Sequence, residues 1–188
     1  MLYQKRQPII FLIAGRARSG KSTVGEIIKN YYQNLSIKVI ISQYTKYLKM
    51  YIENITGEII DDDNKPRDLL QDLSRELIKK ELKKENFFID RQLEDLEVYS
   101  YFADVIIVTD VRFKKEIDVV KEKFNNVISI GVVRENYESD LTIEQQKDIT
   151  ETSLDNYNEY DYKLINNEKD DLEYEVLDIL NKIMKEGI

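Results

Sequence analysis

Gly15-Arg16-Ala17-Arg18-Ser19-Gly20-Lys21-Ser22 fits the pattern Gly, four residues, Gly-Lys-Ser/Thr. Glycines at both ends let a backbone turn tightly around phosphate oxygens with its amides pointing inward. In such a turn Lys21 reaches the β- and γ-phosphates of a nucleotide and Ser22 ligates a magnesium ion, with Thr23 completing the nucleotide-binding stretch. Arg16 and Arg18 add local positive charge. The chemistry expected of this loop is phosphoryl transfer from ATP with Mg2+. Further along, Asp110 follows an apolar run directly, where a carboxylate could hold the metal itself or through water; a role as N-cap of the helix starting near Phe113 is compatible with this. Arg112 lies two residues on, and its guanidinium suits bidentate grip of a phosphate. Arg134, after another apolar run, is a candidate for the donor's base or phosphates. Lys65, Arg67, Arg75 and Arg91 are the cations available to an acceptor. Arg67 and Arg75, eight residues apart, would lie near one face of an α-helix.

The elements that must position these residues are legible as alternating patterns. Ile9 to Ala14 is an apolar strand leading into the glycine loop, and Val24, Ile27, Ile28, Tyr31 and Leu35 carry a helical spacing out of it. The helix N-terminus adds partial positive charge at the loop. A second strand is expected over Ile37–Ser42 and a helix over Tyr44–Asn54, ended by Thr56-Gly57. Asp61 to Lys65 reads as a polar surface loop, and Pro66 as the opening of a helix whose buried stripe is Leu69, Leu70, Leu73, Leu77, Ile78 and Leu82. Another helix runs from about Asp90 to Tyr101. About 60 residues thus separate the second and third strands, where a crossover needs a dozen or so; the excess suggests an inserted helical region. Val105–Thr109 is the third strand, Val127–Val133 the fourth and Tyr162–Ile165 the fifth. A final helix, capped by Asp170 or Asp171, buries Leu172, Val176, Leu180 and Ile183. The alternation implies an α/β sandwich: a five-stranded parallel sheet with helices on both faces and ligands beyond the carboxyl ends of the strands.

Composition narrows the function classes. The chain has 188 residues, enough for one domain with its own core. With no cysteine there is no disulfide or thiolate metal site, and with no histidine there is no histidine base, ligand or triad. A net charge of −8 without a basic stripe argues against binding to duplex nucleic acid. No apolar run approaches membrane-spanning length, and the expected location is cytoplasmic. Transfer to an acceptor phosphate, already ionised, needs no general base, so absence of histidine favours that acceptor; for a hydroxyl acceptor Asp110 could serve. Asn64-Lys65-Pro66-Arg67 begins like a guanine-specificity motif but has Arg where Asp is required. Tyr44, Tyr47 or Phe88 could stack on a base, although tyrosines at helical spacing mostly pack.

Four stretches resemble the P-loop nucleoside monophosphate kinase-like proteins, and most closely the phage-type deoxynucleoside monophosphate kinases. They are Arg18-Ser19-Gly20-Lys21-Ser22-Thr23, Arg67-Asp68-Leu69-Leu70-Gln71, Asp110-Val111-Arg112-Phe113 with Glu116, and Asp148-Ile149-Thr150-Glu151 followed by Tyr162 to Asn167. The resemblance implies strand order 2-3-1-4-5, an acceptor-binding insertion over about residues 43–102 and a closing lid over about residues 134–160. It also implies Mg-ATP as donor and a phosphate on the acceptor, with Arg67, Gln71, Arg75 and Arg112 toward that acceptor and Lys21, Arg18, Asp110 and Arg112 at the transfer. The chain departs from the pattern at Ser22, where the family has Asp, and at Asp148, where it has His. From Arg134 to Asp161 nine residues are acidic and two basic, a lid poor in the arginines that nucleotide kinases bring to the transferring phosphate. Ser19-Gly20-Lys21-Ser22-Thr23-Val24 also resembles dephospho-coenzyme A kinases, and Asp110-Val111-Arg112 resembles a segment of animal-type phosphomevalonate kinases. A weakly catalytic ATP-binding regulatory module is the remaining alternative. Oligomeric state is open, a homodimer included.

Overall fold

The computed structural model describes residues 4–60, 66–135, 142–167 and 169–186. The acidic run and Lys65 of the expected polar loop, and residues 136–141 of the expected lid, lie outside them. The chain divides into two compact units, Met1–Ser42 with Leu96–Ile188, and Gln43–Asp95.

The first unit is built on a parallel sheet in the order β2-β3-β1-β4-β5. Its central strand, β1 (Ile9–Ala14), is apolar throughout and buried at every position but Ile9, as a strand covered on both faces must be. The phosphate-loop sequence follows, and then α1 (Lys21–Asn34). β2 (Val39–Ser42) pairs with β3 (Val105–Val111), and β3 pairs with β1. β3 runs two residues beyond the expected Thr109, so Asp110 lies within the strand rather than after it. α5 (Lys114–Lys123) has Phe113, not Asp110, at its N-cap; its first turn is closed by the Glu116 carboxylate, which accepts from Arg112 N (2.7 Å) and Phe113 N (3.1 Å). β4 (Val127–Val133) and β5 (Tyr162–Ile165) coincide with the expected strands. Between them stand two single-turn helices, α6 (Ile143–Gln146) and α7 (Ile149–Thr152). α8 (Lys169–Glu186) closes the chain. Asp170 and Asp171, expected at its N-cap, lie within its span.

One face of the sheet packs against α1 and α8. Phe11, Ile13, Ile107, Ile130, Val132 and Leu164 meet Val24, Ile28 and Tyr32 of α1 and Leu172, Val176 and Leu180 of α8 in one apolar cluster. Tyr32 belongs to this cluster, whereas Leu35, expected on the same helix face, is 50% exposed because α1 ends at Asn34. Alternation turns Ile10, Leu12, Ile106 and Val108 to the other face, and all four are fully buried, as are Ile117 and Val120 of α5.

The second unit is helical. α2 (Lys46–Thr56) ends on Gly57 in the left-handed conformation (φ 75°), and buries Leu48 and Ile52. Pro66 stands at the N-cap of α3 (Arg67–Asp72), which passes into a π-helical stretch, Leu73–Glu81. Its wider turn, with Leu82 N donating to Leu77 O five residues back, breaks the 3.6-residue spacing. Leu70 and Ile78 are buried, but Leu69, Leu77 and Leu82 are about half exposed; the continuous stripe expected of an α-helix does not form. α4 (Phe87–Tyr99) starts in this unit, and Lys46 Nζ and Tyr47 Oη both donate to the Asp95 carboxylate. Tyr44 and Phe88 are buried, so they pack rather than offer a face for stacking.

Candidate nucleotide site

The glycine turn lies where β1 meets α1, at the carboxyl end of the central strand. Gly15 (φ 148°) and Gly20 (φ 105°) take conformations that other residues rarely adopt; a Cβ would fall 2.3 Å from the backbone Val132 O at Gly15 and 2.4 Å from Asn166 Nδ2 at Gly20, where the Asn166 side chain would have to move. Arg18 is also left-handed, at φ 57°, a conformation that costs a non-glycine residue on the order of 1 kcal/mol and is met at functional turns. No side chain caps α1 and no acidic residue stands in its first turn. Among the described residues the amides of Gly20, Ser22 and Thr23 have no hydrogen-bond partner. Ser19 Oγ is buried without one.

These features fit a phosphate chain. Free amides, the positive end of a helix and a buried hydroxyl without a partner are donors waiting for an anion. Lys21 is 8% exposed, and its Nζ donates to Arg16 O at 2.6 Å, which folds the ammonium back across the turn. Ser22 is exposed and Asp110 partly so. Among the described residues no group of three or more acidic side chains could hold a metal unaided. Magnesium here would depend on Ser22, Asp110 and phosphate oxygens, consistent with an ion that enters with its nucleotide.

Beside the turn is a cavity of about 530 Å³. Gly15, Arg16, Ala17 and Ser19 of the loop line it, together with Arg112, Arg134, Glu151, Asp155, Tyr157, Tyr160 and Lys163. Burial first, then the neighbouring Tyr157 and Asp155, push the Tyr160 phenol up to about 12, so it stays a neutral hydroxyl at physiological pH. Of the residues expected at the site, Gly15, Arg16, Ala17, Ser19, Arg112 and Arg134 share this wall. Arg18 of the loop and Ser22 of α1 are exposed outside it, and Asp110 does not line it. Arg67, Gln71 and Arg75 belong to the helical unit. Arg67 and Gln71 stand on α3, and Arg75 on the π-helical stretch that continues it.

The structure adds residues that the sequence pattern does not single out. The Glu151 carboxylate, 8% exposed, accepts from Ala17 N (2.6 Å) and from Arg112 Nη1 (2.9 Å). Asp155 takes Arg16 bidentately, through Nε at 2.9 Å and through Nη2; this hydrogen-bonded pairing raises the Arg16 pKa against the opposing effect of burial. On the other side Asn166 Nδ2 donates to Ser19 O at 2.8 Å. The segment after β4, acidic by composition, therefore sets one carboxylate against Arg16 of the loop and another against Ala17 N and Arg112. Glu151 and Asn166 both fall in stretches that carry the family resemblance, which is the only signal for them in the sequence.

No protein-family model matches the chain, and no curated protein matches it. Solved structures do. The chain is similar to the APS kinase CysC of Mycobacterium tuberculosis in complex with AMPPNP and APS, with TM-score 0.55 and 10% identity over 94% of this chain and 99% of that one. It is also similar to a gluconokinase from Sinorhizobium meliloti, with TM-score 0.50 and 14% identity over 97% of each chain. At such identities the likeness is one of fold. The architecture is the three-layer α/β sandwich that P-loop kinases share, spanning nearly the whole chain.

Proposed function

We propose that the protein is an ATP-dependent small-molecule kinase that transfers the γ-phosphate to a nucleoside monophosphate, ribose or deoxyribose, or to another phosphorylated acceptor. The observation that carries this reading is the turn itself: a complete Gly15-to-Ser22 motif whose amides at Gly20, Ser22 and Thr23 lack partners among the described residues, at the head of a helix with one buried face. The shared kinase fold supports it.

In this reading Gly15 to Thr23 hold the triphosphate, with Lys21 released from Arg16 O to the β- and γ-oxygens. Ser22 and Asp110 would hold Mg2+, which would supply neutralisation of phosphate charge. Arg16, Arg112 and Arg134 stand around the cavity beside the turn, where three guanidinium groups can offset the charge that develops as the phosphoryl group moves. Arg18 lies on the loop and adds to that field. The helical unit, with Arg67, Gln71 and Arg75, is the acceptor-binding region. An acceptor phosphate is its own nucleophile, so a site without histidine suffices.

The test is calorimetric titration with Mg-ATP and a coupled assay for ADP release over the common monophosphates. Wild type should bind Mg-ATP and turn over at least one acceptor. Lys21→Ala should lower turnover by about 100-fold or more. A folded sample that neither binds Mg-ATP nor responds to Lys21→Ala refutes the reading.

A further inference from the structure

We propose that Glu151 is a positioning residue: its buried carboxylate ties the phosphate loop to Arg112 and presents the remaining edge of that guanidinium to a phosphate group in the adjoining cavity. The proposal rests on the kinase reading for the identity of its ligand, a phosphomonoester.

Arg112 is held at three points. Its main-chain amide donates to Glu116 Oε2, its carbonyl accepts from Ser153 Oγ, and its Nη1 donates to Glu151 Oε2 and, at 3.5 Å, to Thr150 O. Among the described residues Nε and Nη2 have no partner. These two nitrogens form the edge of a guanidinium that matches two oxygens of a phosphate in a fork. Arg112 lines the cavity with Gly15, Arg16 and Arg134. Glu151 thus engages one nitrogen and spares the bidentate pair.

The same carboxylate oxygen accepts from Ala17 N, at the entry of the glycine turn. One buried atom therefore sets the spacing between the loop, which would carry the donor, and Arg112, which would carry a phosphate of the acceptor. Glu151 is fixed in turn: Asp148 Oδ1 accepts from Thr150 N at 2.9 Å and caps the short α7 on which Glu151 stands. An alternative is that the carboxylate imitates a phosphate and must leave before substrate enters. A carboxylate doing so would be expected on the open Nε–Nη2 edge and accessible to solvent. Glu151 is on Nη1 and 8% exposed, which favours a permanent brace.

The test uses the full chain with 15N-labelled arginine. The Nε–H signal of Arg112 is identified by its loss in Arg112→Lys, and is followed during titration with AMP, dTMP and inorganic phosphate. Wild type should shift with at least one of them. Glu151→Ala should weaken that response by about tenfold, because a misplaced binding group forfeits most of its benefit, while Mg-ATP affinity measured by calorimetry changes far less. Glu151→Gln keeps an acceptor oxygen in place and should retain most of the response. Glu151→Asp, one methylene short of spanning both donors, should lose more than Gln; these two variants decide the matter if Glu151→Ala does not fold. A response that is unchanged or strengthened in Glu151→Ala, an absent response in wild type, or losses for phosphate and Mg-ATP of equal size overturns the proposal. If wild type fails to bind Mg-ATP but its Arg112 signal follows the predicted series, the kinase reading falls and the brace stands.

Discussion

A methyl group on Gly20 would stand 2.4 Å from Asn166 Nδ2, in a backbone conformation (φ 105°) that L-residues avoid. Gly20→Ala should therefore cost on the order of 1–2 kcal/mol in urea unfolding, and should weaken Mg-ATP binding by more than the stability loss alone, because Asn166 also holds Ser19 O. Tyr32 offers the opposite case. Its ring is 1% exposed and tilted against Phe11 at 6.0 Å, but its hydroxyl is buried without a partner, and burial pushes its pKa up to about 12. Tyr32→Phe removes the orphan group and keeps the packing, so it should raise stability by about 1 kcal/mol, read as a higher urea midpoint at unchanged slope. The glycines announce themselves by spacing; the orphan hydroxyl does not, because nothing in the sequence says which end of a tyrosine meets a polar neighbour.

Among the elements, the segment that leads into β5 is fastened by Asp161. Its carboxylate accepts from Ser129 N and Ser129 Oγ, each at 2.7 Å, and from Lys121 Nζ at 2.8 Å. Burial opposes the charged form, but these three donors prevail and hold the pKa below the usual carboxylate range. A depressed folded-state value stabilises the fold above the unfolded pKa, and the benefit disappears as pH falls through the folded value. Asp161→Ala leaves two donors of the fully buried Ser129 without a partner and should cost about 2 kcal/mol at neutral pH. In Asp161→Asn the deficit should be smaller and should close as the pH falls below about 4, which thermal melts from about pH 2 to about pH 7 would follow. Strands are the most legible elements, since β1, β4 and β5 match the expected spans residue for residue. The stretch after Leu73 is the least so: its apolar residues fit an α-helical stripe, but the backbone is π-helical and Leu77 and Leu82 are about half exposed.

For the molecule as a whole, the division into a sheet unit and a helical unit gives the proposed kinase a separable test. If residues 43–95 bind the acceptor, Arg67→Ala and Arg75→Ala should each raise the acceptor KM by about tenfold, the effect of deleting a charge-assisted bond to phosphate, with Mg-ATP affinity unchanged. Equal effects on both substrates would assign these arginines to folding instead. No helix among the described residues is long and apolar enough to cross a membrane. The negative charge of the chain finds one local use at the loop, where Glu151 and Asp155 neutralise Arg112 and Arg16. Arg16 of the loop and Arg112 after β3 are thus each paired with a carboxylate from the segment between β4 and β5.

The order of strands and helices, the glycine turn and the lysine and serine at its end were determined by the chain alone, because each is a short-range signal: an apolar run, a period, or a spacing within one turn. The partners that complete the turn were decided by tertiary structure. Glu151 reaches Ala17 across 134 residues and Asn166 reaches Ser19 across 147. A polar bond that closes so long a loop has no periodicity and no compositional mark. It exists only once the parallel sheet has brought the ends of β1, β4 and β5 side by side.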